Sequence, residues 1–336
     1  MSRGPAVNWT LRPGRDADAE GIIALVGACW AEYPGCVMDL DGEVPELRAL
    51  AGYYAGLGGA CWVAEAGGTI VGMIGTHPLD GDAWEICKVY TAASLRGQGL
   101  AQALLAAAEA FAREQGAGEF RLWSDTRFTR AHAFYEKASY VRRGPIRVLG
   151  DKSNSLEYAY AKPACGVVVW PLDAAGADSA GRLLAGVLKD CVDAGASVSF
   201  LPPLDRAVAR AFWQQAGREV ANGGRLLLAG WVEGVLAGCV SVNLAMPPNQ
   251  PHRGDVQKLL VGPAARRHGL GRRLLRAAEQ AAQAAGRSLL VLDTRAGDAA
   301  EPLYRDEGWI EAGRIPDYAR NPDGSLCATV FFYKKI

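Results

Sequence analysis

The segment from Ser94 to Ala112, SLRGQGLAQALLAAAEAFA, places two glycines and an arginine directly before an alanine- and leucine-rich helix. Glycine destabilises a helix interior, so its position at the start of this helix indicates a special backbone conformation there. The first N–H groups of a helix are unpaired, and its N-terminus carries a partial positive charge. A glycine turn leading into such an end lets a bulky anion reach the backbone amides. The segment therefore predicts a phosphate-binding turn.

The same arrangement occurs a second time, as AARRHGLGRRLLRAAEQ from Ala264 to Gln280. Residues of several unlike types also recur at nearly constant spacings. The pairs are Lys88 and Lys258, Arg96 and Arg266 (each 170 apart), Tyr135 and Tyr304 (169), Asp125 and Asp293 (168), and Gly72 and Gly238 (166). Chance rarely produces such agreement, so the sequence predicts two copies of one fold.

Length and composition limit the class of protein. The 336 residues are enough for two domains of ordinary size, and the formal net charge of +0 argues against nucleic acid or an anionic membrane as the main partner. We see no membrane-length apolar run, no hydrophobic core for a signal peptide, and no cysteine or histidine spacing typical of a metal site. We expect a soluble, cytoplasmic protein without a bound metal, and the sequence leaves the oligomeric state open.

The pattern of elements is the same in both halves. Each half reads as a strand, two helices, a hairpin, a strand, the glycine turn with its helix, another strand, a short helix and a last strand. In the first half the first strand is VNWTLRP, the hairpin turns at Gly67 and Gly68, and the strand after the glycine-turn helix is EFRLWSD. In the second half the first helix is predicted from Ala180 to Ala194. This order predicts an α/β (α+β) fold with two domains, each a mixed, mainly antiparallel sheet flanked by helices. We place the domains at residues 1–162 and 163–336, with the junction in KPACG, Lys162 to Gly166.

The residue pattern of the glycine turns distinguishes between the known phosphate-binding motifs. The P-loop pattern GxxxxGK followed by Ser or Thr is absent. GQGLAQ and GLGRRL also fail the dinucleotide pattern GxGxxG, whose turn follows the first strand of its fold. Both copies instead read RxxGxG/A after a strand.

These residues resemble the GNAT superfamily of acetyl-coenzyme A dependent N-acetyltransferases, once in each half. In that family the strand before the turn separates from its neighbour and holds the pantetheine arm, while the turn amides hold the pyrophosphate. The resemblance implies acetyl-CoA as co-substrate. The coenzyme-binding residues that it implies are Val89, Tyr90, Arg96, Gly97, Gln98, Gly99, Leu100 and Ala101 in the first half, and Leu260, Val261, Arg266, Arg267, His268, Gly269, Leu270 and Gly271 in the second.

The second half resembles a narrower branch. Its QKLLVGPAARRHGLG, LLVLDTRAGDAAEPLY and GRIPDYARNPDGSLCATVFFYK are similar to the branch that includes the tabtoxin-resistance acetyltransferases, which acetylate a small amine antibiotic. In that branch the aspartate corresponding to Asp293 lies near the acceptor amine. The first half shares only the general pattern.

Amine acetylation needs a base to remove a proton from the ammonium group and an acid to protonate the leaving thiolate. Tyrosine, with a reference pKa of about 10, can supply that proton at neutral pH. The resemblance places Tyr135 and Tyr304 as this acid, although either ring could simply pack its helix against the sheet. Candidate bases are Glu85 and Asp255, each three residues before the repeated lysine, or Asp293 in the second half.

We therefore predict an N-acetyltransferase that moves the acetyl group of acetyl-CoA directly to the amine of a small molecule in a ternary complex. The alternative is a module that binds or senses acetyl-CoA with one or both halves catalytically inactive. We expect no covalent enzyme intermediate.

Overall fold

The computed structural model describes residues 8–336, so Val7 of the predicted first strand, VNWTLRP, lies outside the described residues. The chain divides into two compact units. The first comprises the described residues up to Ala133 together with Gly144–Cys165, and the second comprises Phe134–Arg143 and Gly166–Ile336.

Eight α-helices are assigned within residues 8–336. They are α1 (Ala19–Trp30), α2 (Leu50–Gly56), α3 (Leu100–Glu114), α4 (Thr129–Lys137), α5 (Ala174–Asp193), α6 (Arg206–Ala221), α7 (Leu270–Ala284) and α8 (Ala300–Asp306). Short 3-10 helices span Asp16–Asp18, Pro45–Ala49, Ala93–Leu95 and Pro263–Ala265.

The strands alternate with these helices. They are β1 (Thr10–Pro13), β2 (Ala60–Ala66), β3 (Thr69–Pro78), β4 (Ala83–Thr91), β5 (Glu119–Asp125), β6 (Val141–Arg142), β7 (Arg147–Val148), β8 (Leu156–Pro163), β9 (Val167–Leu172), β10 (Arg225–Val232), β11 (Val235–Asn243), β12 (Arg253–Val261), β13 (Leu289–Arg295), β14 (Ile310–Arg320) and β15 (Leu326–Lys335).

In the first unit the sheet runs β1-β2-β3-β4-β5-β8, with β7 also on β8. Neighbours are antiparallel except β4 and β5, which are parallel. Phe111 of α3 packs edge-on against Trp62 and Trp84, so α3 covers one face. On the other face, the fully buried Tyr54 of α2 lies directly over Gly75, where a Cβ would fall 2.3 Å from the ring. Only glycine allows this approach of helix and strand.

In the second unit the sheet runs β14-β15-β13-β12-β11-β10-β9, and only β12 and β13 are parallel. Trp213 of α6 and Trp231 of β10 belong to the core between the sheet and helices α5 and α6. Leu274 of α7 and Phe332 of β15 belong to the core on the opposite face. Each of these side chains is at most 1% exposed, and truncating one to alanine would cost about 3–5 kcal/mol.

The segment Phe134–Arg143 groups with the second unit through specific hydrogen bonds. The Trp231 indole Nε1 donates to the Ser139 carbonyl at 3.0 Å, and the Leu236 amide donates to the Ser139 hydroxyl at 3.1 Å. The Arg142 amide donates to Ser179 Oγ at 2.8 Å. The division by contacts therefore assigns this segment to a different unit from the rest of the first half.

The predicted fold class is confirmed. Individual turns, helix starts and strands agree with the sequence-based prediction to different degrees. Gly67 and Gly68 have φ values of +56° and +79°, as expected for the tight turn of a hairpin. Helix α5 begins six residues before the predicted Ala180, because the Asp173 side chain accepts the Gly176 amide at 2.7 Å and caps it. Strand β14 was not predicted, since most of its residues are exposed and it lacks an alternating apolar pattern.

Candidate active site

Each unit has a place where two parallel strands separate. Strand β4 pairs with β5 only from Ala83 to Glu85, and β12 pairs with β13 only from Arg253 to Asp255. Beyond these points β4 and β12 continue for six more residues, and no strand within residues 8–336 pairs with them on that side. Their backbone groups there remain available to a ligand that lies along the strand.

A β-bulge follows in both strands. In the first unit, Gly75 lies opposite Cys87 and Met73 opposite Tyr90, so Lys88 and Val89 together face one residue of β3. In the second unit the ladder shifts at the equivalent point between Cys239 and Ser241 of β11. Such bulges redirect a strand and increase its local twist.

The repeated lysines are the bulged residues. Lys88 has a φ of +55° and Lys258 a φ of +53°, a conformation that costs a non-glycine residue on the order of 1–3 kcal/mol. The two lysines therefore occupy equivalent positions with the same strained backbone conformation in both units. Thr91 and Val261 pair with the equivalent glycines Gly72 and Gly238, so Tyr90 corresponds to Leu260. The two predicted coenzyme-binding pairs, Val89–Tyr90 and Leu260–Val261, are therefore displaced by one residue relative to each other.

The glycine turns have the open geometry that an anion requires. Gly97 and Gly99 have φ values of +75° and +86°, and Arg267 and Gly269 have +71° and +77°. No heavy atom of the described part of the chain lies within 4 Å of a Cβ built on Gly97, Gly99 or Gly269. Within residues 8–336, the amides of these four residues donate no backbone hydrogen bond. The turns therefore fit the pyrophosphate of a coenzyme.

Side chains of the predicted coenzyme-binding residues brace the turns. Arg96 donates two hydrogen bonds of 2.6 Å to Glu32, which hold the pKa of Glu32 below its usual range. Gln98 Nε2 donates to the Ser94 carbonyl at 2.9 Å. Leu100 and Leu270, the first residues of α3 and α7, are 1% exposed and anchor the helices in the core.

The second turn is braced in the same manner. His268 Nδ1 lies 3.0 Å from the Arg266 carbonyl, and the Arg266 side chain lies close to the buried thiol of Cys191. Gly271, at the position of Ala101, has Leu303 of α8 and Val261 of β12 at van der Waals distance from its Cβ position, 3.6 and 3.7 Å. Helix α8 therefore lies beside the turn, next to the separated strand.

Tyr304 lies in α8, one residue after Leu303. It is 6% exposed and packs against the rings of Trp309 and Phe332. Burial, with the nearby charges of Asp298 and Asp293, holds its pKa above the usual value for tyrosine. Its hydroxyl forms no hydrogen bond with another residue of the described chain. Tyr304 is therefore a protonated phenol whose hydroxyl is free for a ligand.

Tyr135 is equally buried but lies in the segment grouped with the second unit. Its ring packs against Phe134 and Tyr140, with centroid distances of 5.4 and 6.0 Å. Its role as an acid stays a prediction.

The matching aspartates of the two units have different surroundings. Asp125 is 5% exposed and accepts hydrogen bonds from the side chain of Arg127 at 2.5 and 2.8 Å. Burial raises the pKa of Asp125, but these bonds outweigh it and the pKa falls below its usual range. Asp293 is exposed, and its Oδ2 accepts a hydrogen bond from Thr329 at 3.2 Å. The Asp125 carboxylate is therefore buried and paired with Arg127, whereas the Asp293 carboxylate is accessible to solvent.

We expect Asp125→Asn to destabilise the first unit by about 1–3 kcal/mol, because it removes the charge-assisted hydrogen bonds between the buried Asp125 carboxylate and the partly buried Arg127 guanidinium. Since the folded-state pKa of Asp125 lies below the unfolded value, its stabilisation is complete at neutral pH and is lost as the pH falls through the folded pKa. Urea titrations at pH 7 and at about pH 3 should show the difference from wild type narrowing in acid. Asp293→Asn, at an exposed carboxylate, should change stability by less than about 0.5 kcal/mol.

The other two predicted carboxylates are partly paired. Glu85 Oε2 lies 3.4 Å from His77 Nε2, and hydrogen bonds that the protonated His77 ring donates to Cys87 and Glu85 raise the pKa of His77 to about 10. Asp255 lies 3.6 Å from Arg253. Burial raises the pKa of Asp255, Arg253 opposes this, and Asp293 adds to it.

A cavity of about 250 Å³ opens beside Asp293. Ser199, Phe200 and Leu201 line it from the loop before α6. Arg295 follows Asp293 on β13, and the far wall comes from β14 and β15, with Arg320 among its residues. The cavity therefore brings the predicted Asp293 together with groups that the sequence did not single out.

Those residues could have been found only in part. Strand β14 was not recognised from the sequence, so Tyr318 and Arg320 were not among the predicted site residues. Lys258, which we used only to detect the repeat, lies over the rings of Phe200 and Phe212 at 5.7 and 5.4 Å. Burial lowers its pKa.

Within residues 8–336, no helix is long and apolar enough to cross a membrane. The same residues contain no group of three or more His, Cys, Asp or Glu side chains that could hold a metal ion.

Comparison with known proteins identifies the family of this chain. The model of the acetyltransferase (GNAT) family matches residues 25–140 and 182–309. The chain belongs to this family, and it is an N-acetyltransferase with acetyl-CoA as its co-substrate.

Curated relatives of the chain are also named as N-acetyltransferases. The chain is 33% identical over 133 residues to an uncharacterized N-acetyltransferase of Azospirillum brasilense, covering 38% of this chain and 76% of that protein. It is 36% identical over 128 residues to the uncharacterized N-acetyltransferase YjgM of Escherichia coli, covering 37% and 76%. A solved putative acetyltransferase from Salmonella typhimurium, with its cofactor acetyl-CoA, has 17% identity and a TM-score of 0.43 over 51% of this chain and 94% of that one.

Proposed function

We propose that the second unit transfers the acetyl group of acetyl-CoA directly to the amine of a small molecule, with Asp293 at the acceptor and Tyr304 at the sulfur. The observation that carries this proposal is that Asp293 opens onto a cavity, whereas its counterpart Asp125 is closed by Arg127. The specific likeness to the tabtoxin-resistance branch stays a prediction.

The coenzyme would lie along the unpaired part of β12, with its pyrophosphate at the amides of Arg267 to Gly271. When bound there, acetyl-CoA supplies a thioester carbonyl that an amine can attack. The positive end of the α7 dipole and the free amides of the turn favour the phosphate charges. Lys258 lies in the bulge of β12, and a bulge redirects the strand that carries it.

Different side chains carry out the deprotonation of the amine and the protonation of the leaving sulfur. Asp293 binds the ammonium group of the acceptor and removes one proton, either directly or through one water molecule. Asp255 lies nearby with a raised pKa, and it is the second carboxyl that could take that proton. Tyr304 keeps its proton because burial disfavours the phenolate, so it can protonate the departing sulfur.

For the first unit we propose coenzyme binding without comparable turnover. Its turn is as open as that of the second unit, but Asp125 is neutralised and Glu85 faces His77. Two acidic side chains that precede α2 in the first unit are also paired: Asp39 with Lys152, and Glu46 with Lys88. A site that holds acetyl-CoA without a free base would sense the coenzyme. A cytoplasmic location stays a proposal that rests on the eight free cysteines.

A charged glycine replacement tests the coenzyme site. We expect Gly269→Asp to weaken acetyl-CoA binding at the second turn by at least about tenfold, because a carboxylate would stand where the pyrophosphate binds. Aspartate is a favourable N-cap and tolerates a positive φ, so the fold should be retained. Isothermal titration measures the affinity.

Gly286→Asp is the matched control for this variant. Gly286 has nearly the same φ, +76°, and no atom within 4 Å of its Cβ position, but it lies after the other end of α7. Its acetyl-CoA affinity should equal that of wild type. Equal affinities for the two variants would contradict the assignment of the second turn.

A further inference from the structure

Asp293 and Arg295 present separate, opposite charges to one cavity. They are two residues apart on β13, so their side chains leave the same face with Cα atoms about 7 Å apart. Both line the cavity. In the first unit the same tripeptide, Asp-Thr-Arg, closes on itself, because Arg127 bonds to Asp125. The second unit keeps the two charges apart.

The positive side of the cavity is only weakly neutralised. Arg295 lies 3.6 Å from Asp298 and 3.5 Å from the Asn321 amide oxygen, both at the limit of an ion pair or hydrogen bond. Arg320, also on the cavity wall, forms no ion pair with any residue from 8 to 336. Two arginines and one aspartate therefore line the same space.

The size of the space limits the ligand. A volume of about 250 Å³ is below the range of drug-sized pockets, roughly 300–1,000 Å³, and suits a small metabolite. Phe200, Leu201 and Tyr318 add apolar surface between the charged groups.

We propose that the acceptor of the second unit is an amino acid, that is, a small molecule with both a primary amine and a carboxylate. Its ammonium group would lie at Asp293, and its carboxylate would bind Arg295 and Arg320. Guanidinium groups bind carboxylates through paired, charge-assisted hydrogen bonds. A simple amine would instead leave Arg320 without a counter-charge and Arg295 with only its long contact to Asp298, both beside the positive charge of the amine, which disfavours it. This inference rests on the proposed function.

The transfer balances without a further reactant. The amine nitrogen forms a bond to the acetyl carbon as the carbon–sulfur bond breaks. The nitrogen of the ammonium group loses two protons in all. The first passes to Asp293 before the attack, and Asp293 then releases it to solvent. The second passes by way of solvent to Tyr304, which has given its own proton to the sulfur. The products are an N-acetyl amino acid and free coenzyme A.

Matched pairs of acceptors test the proposal on the full chain. We would measure kcat/KM for thiol release from acetyl-CoA with L-alanine, L-leucine, L-phenylalanine and L-lysine, each beside the amine that lacks its carboxylate. At least one amino acid should be preferred over its amine by about tenfold or more. Arg295→Gln and Arg320→Gln should each lower kcat/KM for that amino acid by about 10- to 100-fold and leave kcat/KM for the amine unchanged or raised. Arg182→Gln, at an exposed arginine outside the cavity, is the control and should change neither value.

The possible outcomes are distinct. Retained turnover of the amine shows that each variant is folded. Equal rates for amino acids and amines, or a preference that survives both arginine variants, would overturn the amino-acid assignment and leave the acetyltransferase proposal intact. Thiol release with none of the compounds while acetyl-CoA still binds would overturn the inference together with the proposed function of this site.

Discussion

Tyr304→Phe is expected to lower kcat by about 100-fold or more while leaving the affinity for acetyl-CoA unchanged. The ring of the phenylalanine fills the same space against Trp309 and Phe332. Since the Tyr304 hydroxyl has no hydrogen-bond partner in the described chain, its removal leaves no buried group unpaired and should not destabilise the unit. Only the proton that the sulfur needs is lost.

The pH dependence of the wild-type enzyme should agree with this role. Because burial raises the pKa of Tyr304, the phenol stays protonated to a higher pH than a free tyrosine, whose pKa is about 10. We therefore expect no loss of kcat from Tyr304 ionisation up to about pH 9.

Tyr135→Phe is the matched control, because Tyr135 is buried to the same extent and occupies the repeated position. It should leave turnover of the second unit unchanged. Steady-state kinetics and calorimetry on both variants, with circular dichroism to check the fold, make the comparison. If Tyr304→Phe turned over at the wild-type rate, the tyrosine would have a packing role only.

Asp293→Asn is expected to lower kcat/KM for the acceptor by about 100-fold or more, since general-base catalysis contributes roughly 10²–10⁴-fold. The variant keeps the acceptor for the Thr329 hydroxyl, so the local structure should persist. Its residual rate should rise with pH up to the pKa of the acceptor amine, because the solution then supplies the free amine that the carboxylate no longer produces. A pH–rate profile from pH 6 to 10 measures both effects.

Asp125→Asn separates catalysis from stability in this comparison. It removes the carboxylate at the same position of the first unit, where we expect a loss of stability and little change in turnover. The two variants should therefore show opposite patterns. A wild-type rate for Asp293→Asn would contradict its role as base and would leave Asp255 as the remaining carboxyl.

The sequence predicts the fold well because the repeat constrains it twice. Positions that need a special backbone, such as the two glycine turns and the Gly67–Gly68 hairpin, carry residues that indicate the conformation directly. Core strands such as β5 were located to the residue, since EFRLWSD ends where its pairing with β8 ends. Strand β14 could not be recognised, because its exposed residues follow no burial pattern.

The site is predicted less completely, and the two Asp-Thr-Arg tripeptides show why. Sequence treats them as equivalent, since the three residues are identical. In the first unit Ser155 and the Arg127 amide add hydrogen bonds that hold the ion pair together. In the second unit Asp298 and Asn321 lie close to Arg295 instead. The difference depends on residues up to about 30 positions away, which no local pattern contains.

Acetyl-CoA should bind to the exposed amides of both glycine turns. Isothermal titration of acetyl-CoA into wild type and into the double variant Gly99→Asp/Gly269→Asp measures this binding. We expect two sites per wild-type chain and no measurable binding to the folded double variant. Wild-type affinity in the double variant would rule out the turns as the coenzyme site.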